Sequence, residues 1–383
     1  MMKVAIINPW FISEGSIGGT ERFVQDLSES LSGLGYNVDV YMLSGKSYMK
    51  NNINYISIDL FGSGIIADEY MLTKRFGKLD TTETYKKIAI ELEKKINCDN
   101  YNFIQLNSHI FLKCWEKYKR FFTLHSNYEE FIILNSDDEF NTMVSIMKEE
   151  VNNYPTFFVT PSSYYYKYWN DLLSKNVIFI PHALNTDRLK CNKSIEQIIK
   201  KYNLNQNKVK ILLPSRLEMI QKRPQLILEA LSSFCEKERD KYQVIFTGFD
   251  IQYNKNIETL KSIAKKNKID VKFVKFDYIN EGYKVTDIVL VPSKSESFGY
   301  SALESLYLGI PTILSNIPTL HEIANGTTNC FFFNNNSLDL ANVLKNNVEN
   351  FKNERKKISQ EWLNRYDLYL FARRYRDAAN DGK

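Results

Sequence analysis

Glycine is scarce, 15 of 383 residues, and proline scarcer at 9. No apolar run approaches the ~18 residues a bilayer-spanning helix needs. The five cysteines (Cys98, Cys114, Cys191, Cys235, Cys330) are odd in number, and no pair has C-x-x-C spacing. A disulfide framework or zinc knuckle is therefore not expected, and a reducing compartment fits. Four histidines are too few for most metal sites. Repeats and low-complexity blocks are missing too, which excludes solenoids and disordered tails. The start, Met1-Met2-Lys3-Val4-Ala5-Ile6-Ile7-Asn8-Pro9, has too short an apolar run for a signal peptide and no small-residue cleavage site, so a cytoplasmic protein is expected.

What is present is ordinary globular composition, 44% apolar and 25% charged, over a length that suggests two or three domains. Short β-branched runs alternate with amphipathic stretches. Residues 3–8, 37–43, 102–106, 121–124, 156–160 and 176–180 read as strands. A helix over 20–34 sets Phe23, Leu27, Leu31 and Leu34 on one face. Residues 51–85 give no clear period. A second series begins near Lys208, with strands at 209–213, 243–247, 271–276, 288–291 and 312–314 and helices at 223–235 and 256–268. Such alternation predicts parallel sheets covered on both faces, and two series predict two doubly wound Rossmann-like α/β domains, 1–187 and 188–364. Residues 181–187 are the expected hinge. The aromatic tail (Trp362, Tyr366, Tyr369, Phe371, Tyr375) is expected to pack, its last helix (365–383) returning to the N-terminal domain.

The net charge of +5 conceals an asymmetry: residues 1–187 hold 18 Lys+Arg against 23 Asp+Glu, a net −5, and residues 188–383 hold 32 against 22, a net +10. A basic half suits an anionic partner; a solvated lysine-rich surface would look the same. Stacking aromatics interleaved with that charge are not evident, so nucleic acid is not expected.

In open α/β domains ligands sit at strand ends and helix N-termini. Gly15, Gly18 and Gly19 cluster between the first strand and first helix. They suit either a phosphate-facing loop or a tight turn capped by Thr20. The spacing is not G-x-G-x-x-G, no P-loop lysine follows, and Leu43-Ser44-Gly45 supplies no acidic residue for a dinucleotide ribose. The segment Val291-Pro292-Ser293-Lys294-Ser295-Glu296-Ser297-Phe298-Gly299-Tyr300-Ser301-Ala302-Leu303-Glu304 is richer. A strand ends at Val291 and a helix starts near Gly299, so the N–H groups of Phe298, Gly299 and Tyr300 can bind a diphosphate. Glu304, ~7 Å along the helix, can accept from ribose hydroxyls. Glu296, before the helix, would lie toward a sugar.

Glu296-x7-Glu304 followed by Gly309-Ile310-Pro311-Thr312 resembles the retaining, nucleotide-sugar-dependent glycosyltransferases of family GT4, which have the GT-B fold. Gly18-Gly19-Thr20-Glu21 is similar to that family's GGxE loop. Val159-Thr160-Pro161-Ser162 and Ile180-Pro181-His182-Ala183-Leu184-Asn185-Thr186-Asp187 resemble its strand-end and hinge signatures. Leu213-Pro214-Ser215-Arg216-Leu217 with Lys222 resembles its GRL…KG segment. Together the motifs cover roughly residues 3–45 and 100–375. Departures are Pro214, Ser215 and Arg223, the last two where the family usually has Gly, and His182 in place of a common Asn.

The resemblance implies a hexosyl or N-acetylhexosaminyl transfer from a nucleoside-diphosphate sugar, with UDP favoured on family frequency, to a glycan or lipid-linked acceptor. It places donor binding in the C-terminal domain and acceptor binding in the N-terminal one. It implies Arg216, Lys222, Glu296 and His125 as the catalytic set, with Gly18, Gly19, Phe298, Gly299, Tyr300 and Glu304 as donor-binding residues. Arg216 and Lys222 would flank the diphosphate, where Arg chelates oxygens bidentately and Lys adds a point charge. The residues agree with a metal-independent site and no cofactor: no D-x-D is present, and Asp137-Asp138-Glu139 is a polar stretch. No protein nucleophile is implied. The acceptor hydroxyl attacks on the face the leaving group departs from, and the leaving phosphate takes the proton. His125 is assigned to the sugar, and Asn107 and His109 are acceptor-side candidates.

Lys113, Lys117, Lys119 and Arg120 beside Trp115, Tyr118, Phe121 and Phe122 suggest either a peripheral contact with the inner membrane face or a helix packing its aromatics inward. Two rival readings stand beside transfer. A UDP-sugar 2-epimerase of the same fold would yield an epimer instead of a glycoside. A non-enzymatic two-lobed sugar-binding protein would bind free sugar without turnover.

Overall fold

A computed structural model describes residues 2–9, 12, 18–43, 45–60, 82–125, 137–174, 176–248, 254–347 and 355–381. Gly15 and most of the unreadable segment 51–85 lie outside them. The chain forms two compact units, 1–184 with 365–383, and 185–364. It passes between them at Leu184 and again at Arg365. Within the first unit the Leu184 N–H donates to the Tyr366 carbonyl at 2.8 Å, tying these two chain segments together.

The sheet of the first unit contains β1 (Lys3–Asn8), β2 (Asn37–Met42), β3 (Tyr48–Lys50), β4 (Ile53–Ser57), β5 (Phe103–Leu106), β6 (Arg120–Thr123), β7 (Thr156–Thr160) and β8 (Val177–Phe179). Among the described residues its order is β3-β4-β2-β1-β5-β6-β7-β8. All pairings are parallel except β3 with β4. β1 is fully apolar in its middle because helices cover both faces of a parallel sheet. The helix Gly19–Gly33 turns Phe23, Val24, Leu27 and Leu31 onto β1 and β2. Beside it lies the C-terminal helix Leu368–Asp381, whose Phe371, Ala372 and Tyr375 are buried in the same cluster. Tyr375 Oη shares a hydrogen bond of 3.0 Å with Thr123 Oγ1, and Lys119 Nζ donates to the Ala379 carbonyl at the helix end, 2.5 Å away. That end is where a cation is favoured.

The second unit carries β9 (Val209–Leu213), β10 (Tyr242–Phe246), β11 (Val271–Phe273), β12 (Ile288–Val291), β13 (Thr312–Ser315) and β14 (Cys330–Phe333). The order is β11-β10-β9-β12-β13-β14, parallel throughout. Trp362 belongs here, not with the returning helix. It is fully buried and its Nε1 donates to the Ile323 carbonyl at 2.7 Å. The architecture is the expected α/β class with two doubly wound, Rossmann-like sheets. Among the described residues no helix is long and apolar enough to cross a membrane.

The packing takes up five of the eight residues behind the membrane-contact expectation, while Lys117 stays exposed. Trp115, Phe121 and Phe122 lie in the core, and so do Lys113 and Arg120. Both cations close on the fully buried Glu150: Lys113 Nζ lies 2.6 Å from Oε1, and Arg120 Nη2 donates to Oε2. Arg120 also donates to the carbonyls of Leu112 (2.9 Å) and Cys114 (2.6 Å) and to Thr156 Oγ1 (2.6 Å). The stretch looked amphipathic because it supplies the charges of an internal ion cluster, paired as buried charges must be.

Candidate functional site

Sheet order locates the loops that matter. In each unit the chain leaves a central strand in one direction and later returns on its other side. These switch points fall between β1 and β5, and between β9 and β12. In open α/β sheets ligands bind outside the strand ends at such points. In the second unit the loops after β9 and β12 carry Arg216, Lys222, Glu296 and Gly299. In the first, the loops after β1 and β5 carry Gly18, Gly19, Asn107 and His109.

Several contacts build the second-unit site. Lys222 Nζ stands 2.7 Å from Glu296 Oε1, both side chains largely shielded. Ser293 Oγ donates to the same oxygen at 2.6 Å. The two loops are also joined through backbone, since the Lys294 N–H donates to the Gln221 carbonyl at 2.7 Å. Ser301 Oγ, in the first turn of the helix Tyr300–Tyr307, donates to the Pro214 carbonyl at 2.8 Å. Gly248 has φ +66°, and a Cβ there would lie 2.6 Å from the Ser215 carbonyl oxygen. Glycine thus lets the end of β10 press against the loop that carries Arg216. Arg216 itself is exposed and makes no ion pair among the described residues.

Gly299 caps the helix Tyr300–Tyr307 with φ 109°, and no side chain occupies the cap. A Cβ would meet Leu320 Cδ2 at 3.0 Å, so any larger residue would disturb both conformation and packing. The rings of Phe298 and Tyr300 pack edge to face at 5.2 Å. Glu304 is buried on the same helix and accepts from the Tyr283 hydroxyl at 2.7 Å. Phe298, Gly299, Tyr300 and Glu304 thus gather on one helix start, with the Lys222–Glu296 pair in the loops beside it. The arrangement offers fixed cations and helix-start amides to an anion, and a carboxylate to hydroxyl groups.

The first-unit residues behave differently. Gly18 caps the helix Gly19–Gly33 without a side-chain cap. Thr20 lies inside the first turn, so the turn capped by Thr20 is not what forms. His125 follows β6, its Nε2 3.3 Å from Asn107 Oδ1. Its ring packs on Phe23 (4.8 Å) and lies 5.8 Å from His182, which also packs on Phe23 at 4.7 Å. Burial pushes the His125 pKa down to about 3 and His182 well below the ordinary histidine range. Both rings are neutral at pH 7. Asn107 Nδ2 donates to the Ile7 carbonyl (3.2 Å), and its Oδ1 accepts from Gln105 Nε2 (3.1 Å), so it braces β1 against β5. His109 opens the short 3-10 turn His109–Phe111, its ring 6.1 Å from that of Tyr85. Burial lowers its pKa to about 4. The structure therefore brings Asn107 to His125, while His109 faces its own neighbours.

Sequence reasoning missed Tyr283 and Gly248. Tyr283 lies 21 residues before Glu304 with no local pattern to connect them. Gly248 ends a strand and could have been flagged by its rarity. Ser293 was inside the quoted motif and passed over as loop.

A family model described as "Glycosyl transferases group 1" matches residues 194–362. Residues 194–362 are thus similar to that family. The matched stretch contains Arg216, Lys222, Glu296, Gly299 and Glu304. An "Uncharacterized 41.2 kDa protein in cps region" of Klebsiella pneumoniae is 26% identical over 253 residues, 64% of this chain and 66% of that protein. "O-antigen biosynthesis glycosyltransferase WclY" of Escherichia coli is 34% identical over 125 residues, 32% of this chain and 33% of that protein. The chain thus spans between a third and two thirds of the length of these relatives. A solved structure of Anabaena Alr3699/HepE in complex with UDP and glucose superposes with TM-score 0.74 at 16% identity, covering 99% of this chain and 100% of that one. At that identity the likeness establishes the fold alone, GT-B.

Proposed function

We propose that the protein is a retaining glycosyltransferase of the GT4 kind. It moves a hexosyl or N-acetylhexosaminyl group from a nucleoside-diphosphate sugar, UDP-linked, to a hydroxyl of a glycan or lipid-linked acceptor, without a metal ion. The observation that carries the reading is the juxtaposition of Lys222 with Glu296 at 2.7 Å, beside the helix start at Gly299. Breaking the glycosidic bond puts negative charge on the departing diphosphate. Preorganised cations and amides stabilise that charge by about 3 kcal/mol per good donor. In this role Arg216 and Lys222 meet the phosphates, the amides of Phe298, Gly299 and Tyr300 complete the cradle, and Glu304, oriented by Tyr283, accepts from the ribose. Glu296 positions the sugar. His125, neutral, offers a hydrogen bond to the sugar without competing for the phosphate charge. The HepE complex with UDP and glucose supports a UDP donor, and the relative named for O-antigen biosynthesis supports a glycan acceptor.

The test is NMR of the product after incubation with a panel of UDP-, GDP- and ADP-sugars and candidate acceptors. A glycoside whose anomeric configuration matches the donor is expected, with activity unchanged in EDTA. An inverted product or loss of activity on chelation would overturn the mechanism, and an epimer in place of a glycoside would overturn the reaction class.

A further inference from the structure

Arg223 immediately follows Lys222, and the chemistry proposed above does not use it. It is a non-glycine residue in the left-handed region, φ 48°, a conformation disfavoured for a side chain with a Cβ. Its backbone closes the loop locally. The N–H donates to the Glu218 carbonyl at 3.1 Å, and its own carbonyl accepts from Leu226 N–H at 3.2 Å. Its guanidinium reaches across the ends of three strands. Nε donates to the Pro292 carbonyl just after β12 at 2.8 Å. Nη2 donates to Ser315 Oγ, the last residue of β13, at 3.2 Å, and to Asn335 Oδ1, beyond β14, at 2.9 Å. Nη1 donates to the Asn335 carbonyl at 3.3 Å. Among the described residues no carboxylate pairs with it, so oxygen dipoles alone hold the charge, and burial lowers its pKa.

A strained backbone with this many directed hydrogen bonds marks a conformation that the surroundings impose. We infer that Arg223 is a positioning residue: it clamps the Lys222 loop to the ends of β12, β13 and β14, and thereby sets Lys222 on Glu296. The inference deepens the proposed donor site and rests on that reading for its catalytic consequence. Its geometric part, the placing of Lys222, stands apart from any donor. A glycine at 223 would adopt the same φ without strain but leave the loop untethered. A lysine would keep the charge but lacks a planar fork able to reach several acceptors at once.

The experiment compares the full-length protein with Arg223→Gly and Arg223→Lys. Brief acetylation with N-hydroxysuccinimidyl acetate, read by mass spectrometry, reports the shielding of each lysine. Lys222 should label several-fold faster in both variants, while the exposed Lys261 and the buried Lys210 keep their wild-type rates. With UDP-glucose as probe, kcat should fall about tenfold or more with KM little changed, the signature of misplacement at the reacting centre. Unchanged labelling of Lys222 in both variants overturns the inference. So does a uniform rise at every lysine in Arg223→Lys, which would mean general loosening. A wild-type protein that turns over no nucleotide sugar, yet shows selective unmasking of Lys222 in the variants, overturns the donor reading and leaves the positioning role standing.

Discussion

The two units share one architecture and handle charge in opposite ways. In the second unit the strand ends at the switch point present cations and shared hydrogen bonds: Lys222 on Glu296, Arg216 in the open, Arg223 across three strands. In the first unit the chain just beyond β6 and β8 holds the neutral rings of His125 and His182 against Phe23. The charge there is drawn inward, to Glu150 between Lys113 and Arg120. A diphosphate demands preorganised positive charge, and a glycan hydroxyl does not. The same scaffold can serve both, because the strands fix positions and the loops choose the chemistry.

The sharpest way to break this comparison is to disturb the charge that the first unit buries. Glu150→Ala leaves Lys113 and Arg120 without their buried partner and should lower stability by about 3–5 kcal/mol, read as a large drop in Tm by calorimetry. A shift within error would mean the cluster is solvated and not part of the core. Next is Arg216→Ala. Arg216 is exposed, so Tm should hold while kcat falls by about 100-fold, as for loss of one oxyanion-type donor. Glu304→Ala should instead raise the donor KM more than it lowers kcat. Equal, small effects from both would dissolve the distinction between phosphate and ribose contacts.

The smallest effect concerns pH. His125 and His109, with pKa values near 3 and 4, bind fewer protons folded than unfolded, where histidine titrates near 6.5. Their contribution is therefore complete above pH ~6.5 and is lost as pH falls toward the folded values. By pH 5 each of these partly buried neutral rings should cost about 2 kcal/mol. Thermal melts from pH 7.5 to 5 should show this decline, and His125→Gln should flatten it. A melt profile for His125→Gln parallel to wild type would place that ring in solvent.

Most of the fold was legible. Strands such as Lys3–Asn8, Val209–Leu213 and Ile288–Val291 are buried on both faces and so are nearly all apolar. Tyr48–Lys50, Ile53–Ser57 and Cys330–Phe333, at or next to a sheet edge, were missed because strands of three to five residues carry little periodicity. The helix start at Gly299 was legible because an anion site needs free amides and glycine beside a strand end, whereas Arg216 and Lys222 were reached through the family resemblance. Residues 113–122 were not, because a cation buried in an ion cluster and a cation awaiting a phosphate look alike until packing is known.

Residue order alone determined the alternation of strand and helix, the two parallel sheets and the loops that end at Gly18 and Gly299, since these follow from local periodicity and the rarity of glycine. Only the tertiary structure decided that Tyr283 steadies Glu304, that Lys222 meets Glu296, and that Arg120 turns inward to Glu150. Those pairings join residues 21, 74 and 30 positions apart, and such contacts exist only once the sheet has brought distant strand ends together.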